Sequence, residues 1–273
     1  MSKDINAPQK LVFLHIPKTA GSSFTHILKS LYDDADIFHR MDGDELISLL
    51  WNGDDDYQLY IGHYSYNVVA LFKTRPRLVT FLREPRARIL SHYHYYRVQS
   101  EEAIATMADR DRHIVKLTRK YDFPDFISLD LPEIEQGFAN VHTRQLAFST
   151  DYPMLQTDAA RKALLGNAIA HLESLDFIGI VERFDESLAQ FRRLFGLTEP
   201  LEAVAVNVNR NSHADEDDAA LAVFETNPVA RRRVELDLAL YQRGQVLFDA
   251  AGTAPRRSFP SILAKFRRKR RPG

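Results

Sequence analysis

Leu11-Val12-Phe13-Leu14-His15-Ile16-Pro17-Lys18-Thr19-Ala20-Gly21-Ser22-Ser23-Phe24 is the stretch on which the fold turns. From Leu11 to Ile16 the run is nearly all apolar, as in a strand buried on both faces of a parallel sheet. Pro17 to Gly21 breaks it, and then Phe24, Ile27, Leu28 and Leu31 recur at helical spacing, with Ser22 or Ser23 available as the cap. The small residues of the loop let a backbone approach an anion closely, and a helix N-terminus offers unpaired N–H groups and a favourable dipole. Hydroxyls of Thr19, Ser22 and Ser23 add donors, and Lys18 adds a positive charge. The same composition also suits an ordinary strand-to-helix turn with a capping serine. It does not suit a Walker A loop, in which the lysine follows the second glycine, because Lys18 precedes Gly21.

Working outward, Tyr57 to Ile61 reads as a second strand ending in Gly62-His63, and Arg77 to Arg83 as a third. Pro85 then opens a helix to about Gln99, in the first-turn position proline favours. Helical signals dominate to about residue 176, including a helix from Thr157 or Asp158 that carries Leu164, Leu165, Ile169 and Leu172. Phe177 to Ile180 reads as a fourth strand, followed by a helix capped near Asp185 and closed by Gly196. Ala230 to Phe248 is a long amphipathic helix; Asp54-Asp55-Asp56 reads as a solvated loop, and Asp215 to Asp218 as a helix start. The alternation implies an α/β fold: a P-loop-like parallel β-sheet flanked by α-helices, with helical insertions. Ligands of such sheets bind beyond the carboxyl ends of the strands, where Lys18, His63 and Arg83 all fall.

The 273 residues are 45% hydrophobic and 27% charged, enough for one domain over 1–255 without staples. No cysteine is present, which excludes disulfides, thiolate nucleophiles and Cys-ligated zinc. No signal peptide or membrane-spanning run is evident, so a cytoplasmic protein is expected. The net charge of -1 hides an asymmetry: residues 256–273 form a tail with eight basic and no acidic side chains. Setting that tail aside leaves 28 basic against 37 acidic side chains, a body near -9. Such a body is a poor match for nucleic acid. In the tail, Phe259, Ile262, Leu263 and Phe266 beside Arg267 to Arg271 fit either peripheral contact with anionic lipid or a solvated basic end.

A second cluster, Arg83-Glu84-Pro85-Arg86-Ala87-Arg88-Ile89-Leu90-Ser91-His92-Tyr93, follows the third strand. Arg83 at the strand end and Ser91 two turns into the helix suit a terminal phosphate, which arginine can hold bidentately. By spacing alone, Arg83 could equally pair with an acidic neighbour and Ser91 lie on a helix surface.

HIPKTAGSSF resembles the 5′-phosphosulfate loop of the carbohydrate sulfotransferases that use 3′-phosphoadenosine 5′-phosphosulfate (PAPS), especially the heparan 2-O- and chondroitin 4-O-sulfotransferase branch. The resemblance implies that Lys18, Thr19, Ala20, Gly21, Ser22 and Ser23 hold the phosphosulfate. R-[DE]-P-x-x-R-x-x-S-x-Y likewise resembles the family's 3′-phosphate motif, implying that Arg83 and Ser91 grip that phosphate; Glu84 stands where aspartate is commoner, and Arg88 reads as a supporting salt bridge. Gly62-His63 matches the G-H segment whose histidine is a general base in the heparan 2-O branch. Some relatives carry another histidine two positions earlier, where this chain has Ile61. Asn140 to Leu146, with Arg144, resembles a helix near the acceptor, Phe177 to Phe195 the late strand–helix unit, and Val208 to His213 a loop over the nucleotide.

The expected chemistry is in-line transfer of a sulfuryl group from PAPS to an acceptor hydroxyl, expected on a carbohydrate or glycan. His63 would accept the proton, Lys18 would stabilise the leaving oxygen, and no metal is required. The competing readings are a kinase-like nucleotide-binding protein and a non-catalytic module that binds anionic polymers or membranes through its tail.

Overall fold

The computed structural model describes residues 10–41, 43–148, 157–197, 201 and 220–253. The basic tail, Asp215 to Asp218 and Val208 to His213 lie outside them. Five strands form one sheet: β1 (Leu11–Leu14), β2 (Ile37–His39), β3 (Leu59–Gly62), β4 (Arg77–Leu82) and β5 (Phe177–Ile180). Their order is β2-β3-β1-β4-β5, and every pair is parallel. β1 is central, with Leu14 opposite Gly62 of β3 and Phe13 opposite Val79 of β4.

The alternation of side chains along the strands divides the core in two. Leu11, Phe13, Leu59, Ile61, Val79, Phe81 and Phe177 pack on one face, against Phe24, Ile27 and Leu28 of α1 (Gly21–Ser30) and Leu188 and Phe191 of the helix Phe184–Leu194. Val12, Leu14, Tyr60, Leu78, Leu82 and Ile180 pack on the other, under Leu172 of the helix Asp158–Glu173 and Leu240 of the long helix Pro228–Thr253. A further apolar cluster joins the helix Pro85–Arg97 to the helices between residues 109 and 138. Among the described residues no helix is long and apolar enough to cross a membrane.

Two elements escaped the sequence reading. β2 is a three-residue edge strand, half-buried throughout, too short to show alternation. The helix Gly43–Trp51 buries only Leu46 and Leu50. Three expectations need correction. α1 is not capped by serine: its cap is Ala20, in the left-handed region at φ 56°, with no side-chain hydrogen bond. Asp55 is not solvated but buried, and pairs with Lys10 at 3.2 Å and Lys73 at 3.5 Å. Arg88 is wholly buried and donates Nη2 to the Phe138 carbonyl at 2.7 Å, tying two helices where a supporting salt bridge was expected.

The helix Val141–Ala147 is held at the sheet by an exchange with the long helix. Asn140 donates its N–H to the Arg233 carbonyl and Nδ2 to that of Arg232, while its Oδ1 accepts from the Leu236 N–H. Asp237 returns the favour in kind: its buried carboxylate accepts the N–H groups of His142 and Thr143 and the Thr143 hydroxyl, acting as a cap from another helix. Asp237→Ala should therefore cost about 2–4 kcal/mol, the loss of a charged cap inside the protein. Chemical denaturation checks it; a native midpoint would show that the exchange contributes nothing.

Candidate functional site

The phosphate loop leaves β1 between the ends of β3 and β4. From β1 the chain crosses toward β2 on one side, and from β4 it runs on to β5 on the other. The carboxyl ends of β1 and β4 thus flank the topological switch point, where open α/β sheets bind ligands. The loop after β1 and the cluster after β4 line this crevice, and they touch: Arg83 Nη1 donates to the Lys18 carbonyl at 3.3 Å. Two motifs 65 residues apart in sequence meet in space.

The loop is folded tightly. Lys18 and Ala20 both have positive φ, at 70° and 56°, unusual for residues with a Cβ. The Thr19 hydroxyl donates to the Ile16 carbonyl at 2.8 Å, so it closes the loop and is not available to a ligand. Ser22 is exposed and Ser23 is buried. The first turn of α1 has neither a side-chain cap nor an acidic residue, so no negative side chain of that turn offsets the positive end of the helix dipole. Lys18 is half-buried; burial, and then the Arg83 charge, lower its pKa. Two cations crowded this way gain most when an anion arrives between them. Lys18 Nζ lies 4.5 Å over the ring of Tyr95, an exposed residue one turn beyond Ser91 that the sequence reading did not single out.

Across the crevice, Glu84 caps the helix Pro85–Arg97 by accepting from the Ala87 N–H at 2.8 Å, and also pairs with Arg86. The acidic position of the second motif thus fixes the helix that carries Ser91, which is half-buried.

His63 follows β3 directly. Its N–H donates to the Met41 carbonyl at 3.2 Å, extending the β2–β3 pairing past the strand ends. Gly62 is required here, since a Cβ would lie 2.0 Å from the Arg40 carbonyl oxygen. Solvent reaches His63, yet packed protein first and the neighbouring His39 second push its pKa down to about 4. The open side moderates that depression through solvent screening. Its direction leaves a neutral imidazole at neutral pH.

The ring of His15 packs beside that of His63, centroid to centroid 4.7 Å. Gln145 braces both segments, Nε2 donating to the His15 carbonyl at 3.0 Å and to that of Tyr64 at 2.8 Å. Neither residue was foreseen; a histidine interrupting an apolar run just before the loop was the available signal. Arg144, expected near an acceptor, donates Nη1 to the carbonyls of Glu135, Gln136 and Ala139, closing the helix Pro132–Phe138.

The α/β fold thus brings the loop after β1, the Arg83 cluster after β4 and His63 after β3 to one rim of the sheet. Residues 3–249 match the Sulfotransferase family, and the chain belongs to that family. It is 23% identical to a protein-tyrosine sulfotransferase of Arabidopsis thaliana, over 79% of this chain and 55% of that protein, so it spans about half the length of that relative. Among solved structures it is similar to a mouse sulfotransferase, SULT7A1, complexed with PAP, at 13% identity and a TM-score of 0.35, covering 79% of this chain and 63% of that one.

The tight seat of the loop generates a paired test. A Cβ on Gly21 would come within 1.7 Å of His15 Nε2, whereas one on exposed Gly166 meets nothing within 4 Å. Gly21→Ala should destabilise by about 1–3 kcal/mol through overpacking. Gly166→Ala should stabilise by about 0.5–1 kcal/mol through helix propensity. Equal midpoints for the two variants in urea would contradict the packing at Gly21.

Proposed function

We propose that this chain transfers the sulfuryl group of PAPS to an acceptor hydroxyl. The observation that carries the reading is the contact between Arg83 and the Lys18 carbonyl, which sets two phosphate clamps side by side at the switch point. The N–H groups at the start of α1 suit the 5′-phosphate, and Arg83 with Ser91 suits the 3′-phosphate. Lys18 stabilises charge on the leaving oxygen, and His63 accepts the acceptor's proton on its open side. Sulfuryl transfer asks for little covalent work from the protein, so positioning and charge dominate, as they do in phosphoryl transfer.

For the acceptor, the resemblance of both motifs to carbohydrate sulfotransferases favours a sugar hydroxyl. The similarity to a plant protein named for tyrosine supports a second reading, a tyrosyl phenol. Labelled PAPS offered with a panel of glycans and tyrosine-containing acidic peptides separates them: label in glycans alone supports the first, and label in peptides alone overturns it in favour of the second.

The donor assignment predicts that PAP raises the melting temperature more than 5′-AMP, because only PAP engages the second clamp. Arg83→Ala should abolish that preference. Equal shifts with both nucleotides in the native protein would refute the roles of Arg83 and Ser91.

The base assignment predicts that His63→Ala keeps PAP affinity and loses about 10²–10⁴-fold in turnover. The rate of the native protein should hold as pH falls through 6.5 and decline only near the lowered His63 value of about 4, where the imidazole becomes protonated. Rates must be expressed per folded molecule. His15, His63, His92 and His142 all have lowered pKa values, so the unfolded chain binds more protons and stability falls as pH drops below about 6.5. Near-native turnover in folded His63→Ala would remove this residue from the chemistry.

A further inference from the structure

One side of His63 is formed by a residue that the proton transfer leaves unused. His15 comes directly after Leu14, the last residue of β1, and its backbone is fixed on both sides: its N–H donates to the Gly62 carbonyl at 2.9 Å and its carbonyl accepts from Gln145. Its ring stacks on Phe13, with centroids 5.3 Å apart, and meets the His63 ring at 4.7 Å and 60°, edge toward face. At Nε2 it abuts Gly21, closely enough that no Cβ fits there. A single side chain therefore touches both the start of α1 and the candidate base. His15 is 8% exposed, whereas His63 is open to solvent, so of these two imidazoles only His63 is within reach of an incoming hydroxyl.

We propose that His15 is a positioning residue for His63: it covers one side of the His63 ring, fixing its orientation and holding it neutral, so that the open side presents a basic nitrogen to the acceptor. The inference rests on the reading of His63 as the base. His15 is not a second base in this arrangement. Its Nδ1 is buried without a hydrogen-bond partner, so nothing there stabilises an imidazolium, and burial followed by the charges of His63, His39 and Lys18 pushes its pKa to about 3. The proton taken from an acceptor thus stops at His63. The other ionisable groups around the pair are His39 from β2, which when protonated opposes an imidazolium at both rings, Lys18 from the loop, which acts on His15, and His92 from the helix Pro85–Arg97, whose own pKa a charged His63 lowers.

Two substitutions separate covering from mere packing. His15→Ala opens the covered side to water, while His15→Phe keeps a ring against Phe13 and His63. The full chain is labelled with isotopic histidine, the His63 signal is assigned by its loss in His63→Gln, and its titration is followed by NMR. In His15→Ala the His63 titration should rise by about one unit or more, toward the ordinary histidine value. The acid limb of kcat/KM should rise with it, and kcat should fall about tenfold. In His15→Phe both titration and limb should stay low. If His15→Ala fails to fold, His15→Asn is measured in its place, with the same upward shift expected. An unchanged His63 titration in a folded Ala or Asn variant overturns the proposal, as does an equal rise in His15→Phe. The titration is read without turnover, so an inactive native protein would count against the sulfuryl-transfer reading while leaving the His15 result legible.

Discussion

β1 is hydrogen-bonded along both edges, to β3 through Leu11 to Leu14 and to β4 through Leu11 to Phe13, and that doubly paired strand determines where three loops begin. Because the strands are parallel, their carboxyl ends emerge on the same rim. Lys18, His63 and Arg83 follow those ends, so residues far apart in sequence share one crevice. The link from Arg83 to the Lys18 carbonyl then converts two loops into one clamp. Shifting β1 by one residue would exchange the faces of Val12 and Phe13 and turn every rim residue with them. Burial of the strand on both faces resists that shift.

The rim gathers positive or potentially positive groups: Lys18, Arg83, His15, His39 and His63. Burial first, and neighbouring positive charge second, lower the pKa values of Lys18, His15 and His63. The positive φ values of Lys18 and Ala20 belong to the same pattern, strain held in place by the strand before them and the helix after.

Much of this was legible in the sequence because its signals were local. The apolar run before Pro17, the small-residue loop and the helical spacing after Gly21 foretold β1, the loop and α1. The pairing of an R-E-P cluster with Ser91 pointed to the helix Pro85–Arg97. What was not legible depends on contacts across the chain. Ser22 and Ser23 looked like caps, but the loop turns through Ala20 and places them inside the helix. Asp55 looked solvated because its partners, Lys10 and Lys73, lie in other segments. Ile61 seemed to leave His63 without a companion imidazole, yet the neighbouring strand supplies His15 from the side. The braces made by Gln145, Asn140 and Asp237 join residues some 80 to 130 positions apart, beyond any periodicity in the chain.

The central claim is geometric: one nucleotide spans two clamps on one rim. A crystal structure with PAP tests it most directly. The account predicts the 5′-phosphate against the first-turn N–H groups of α1 beside Lys18, and the 3′-phosphate within hydrogen-bond reach of Arg83 and Ser91, with the His63 side left open toward an acceptor. A nucleotide bound away from the switch point, or with its 3′-phosphate in solvent, would contradict it.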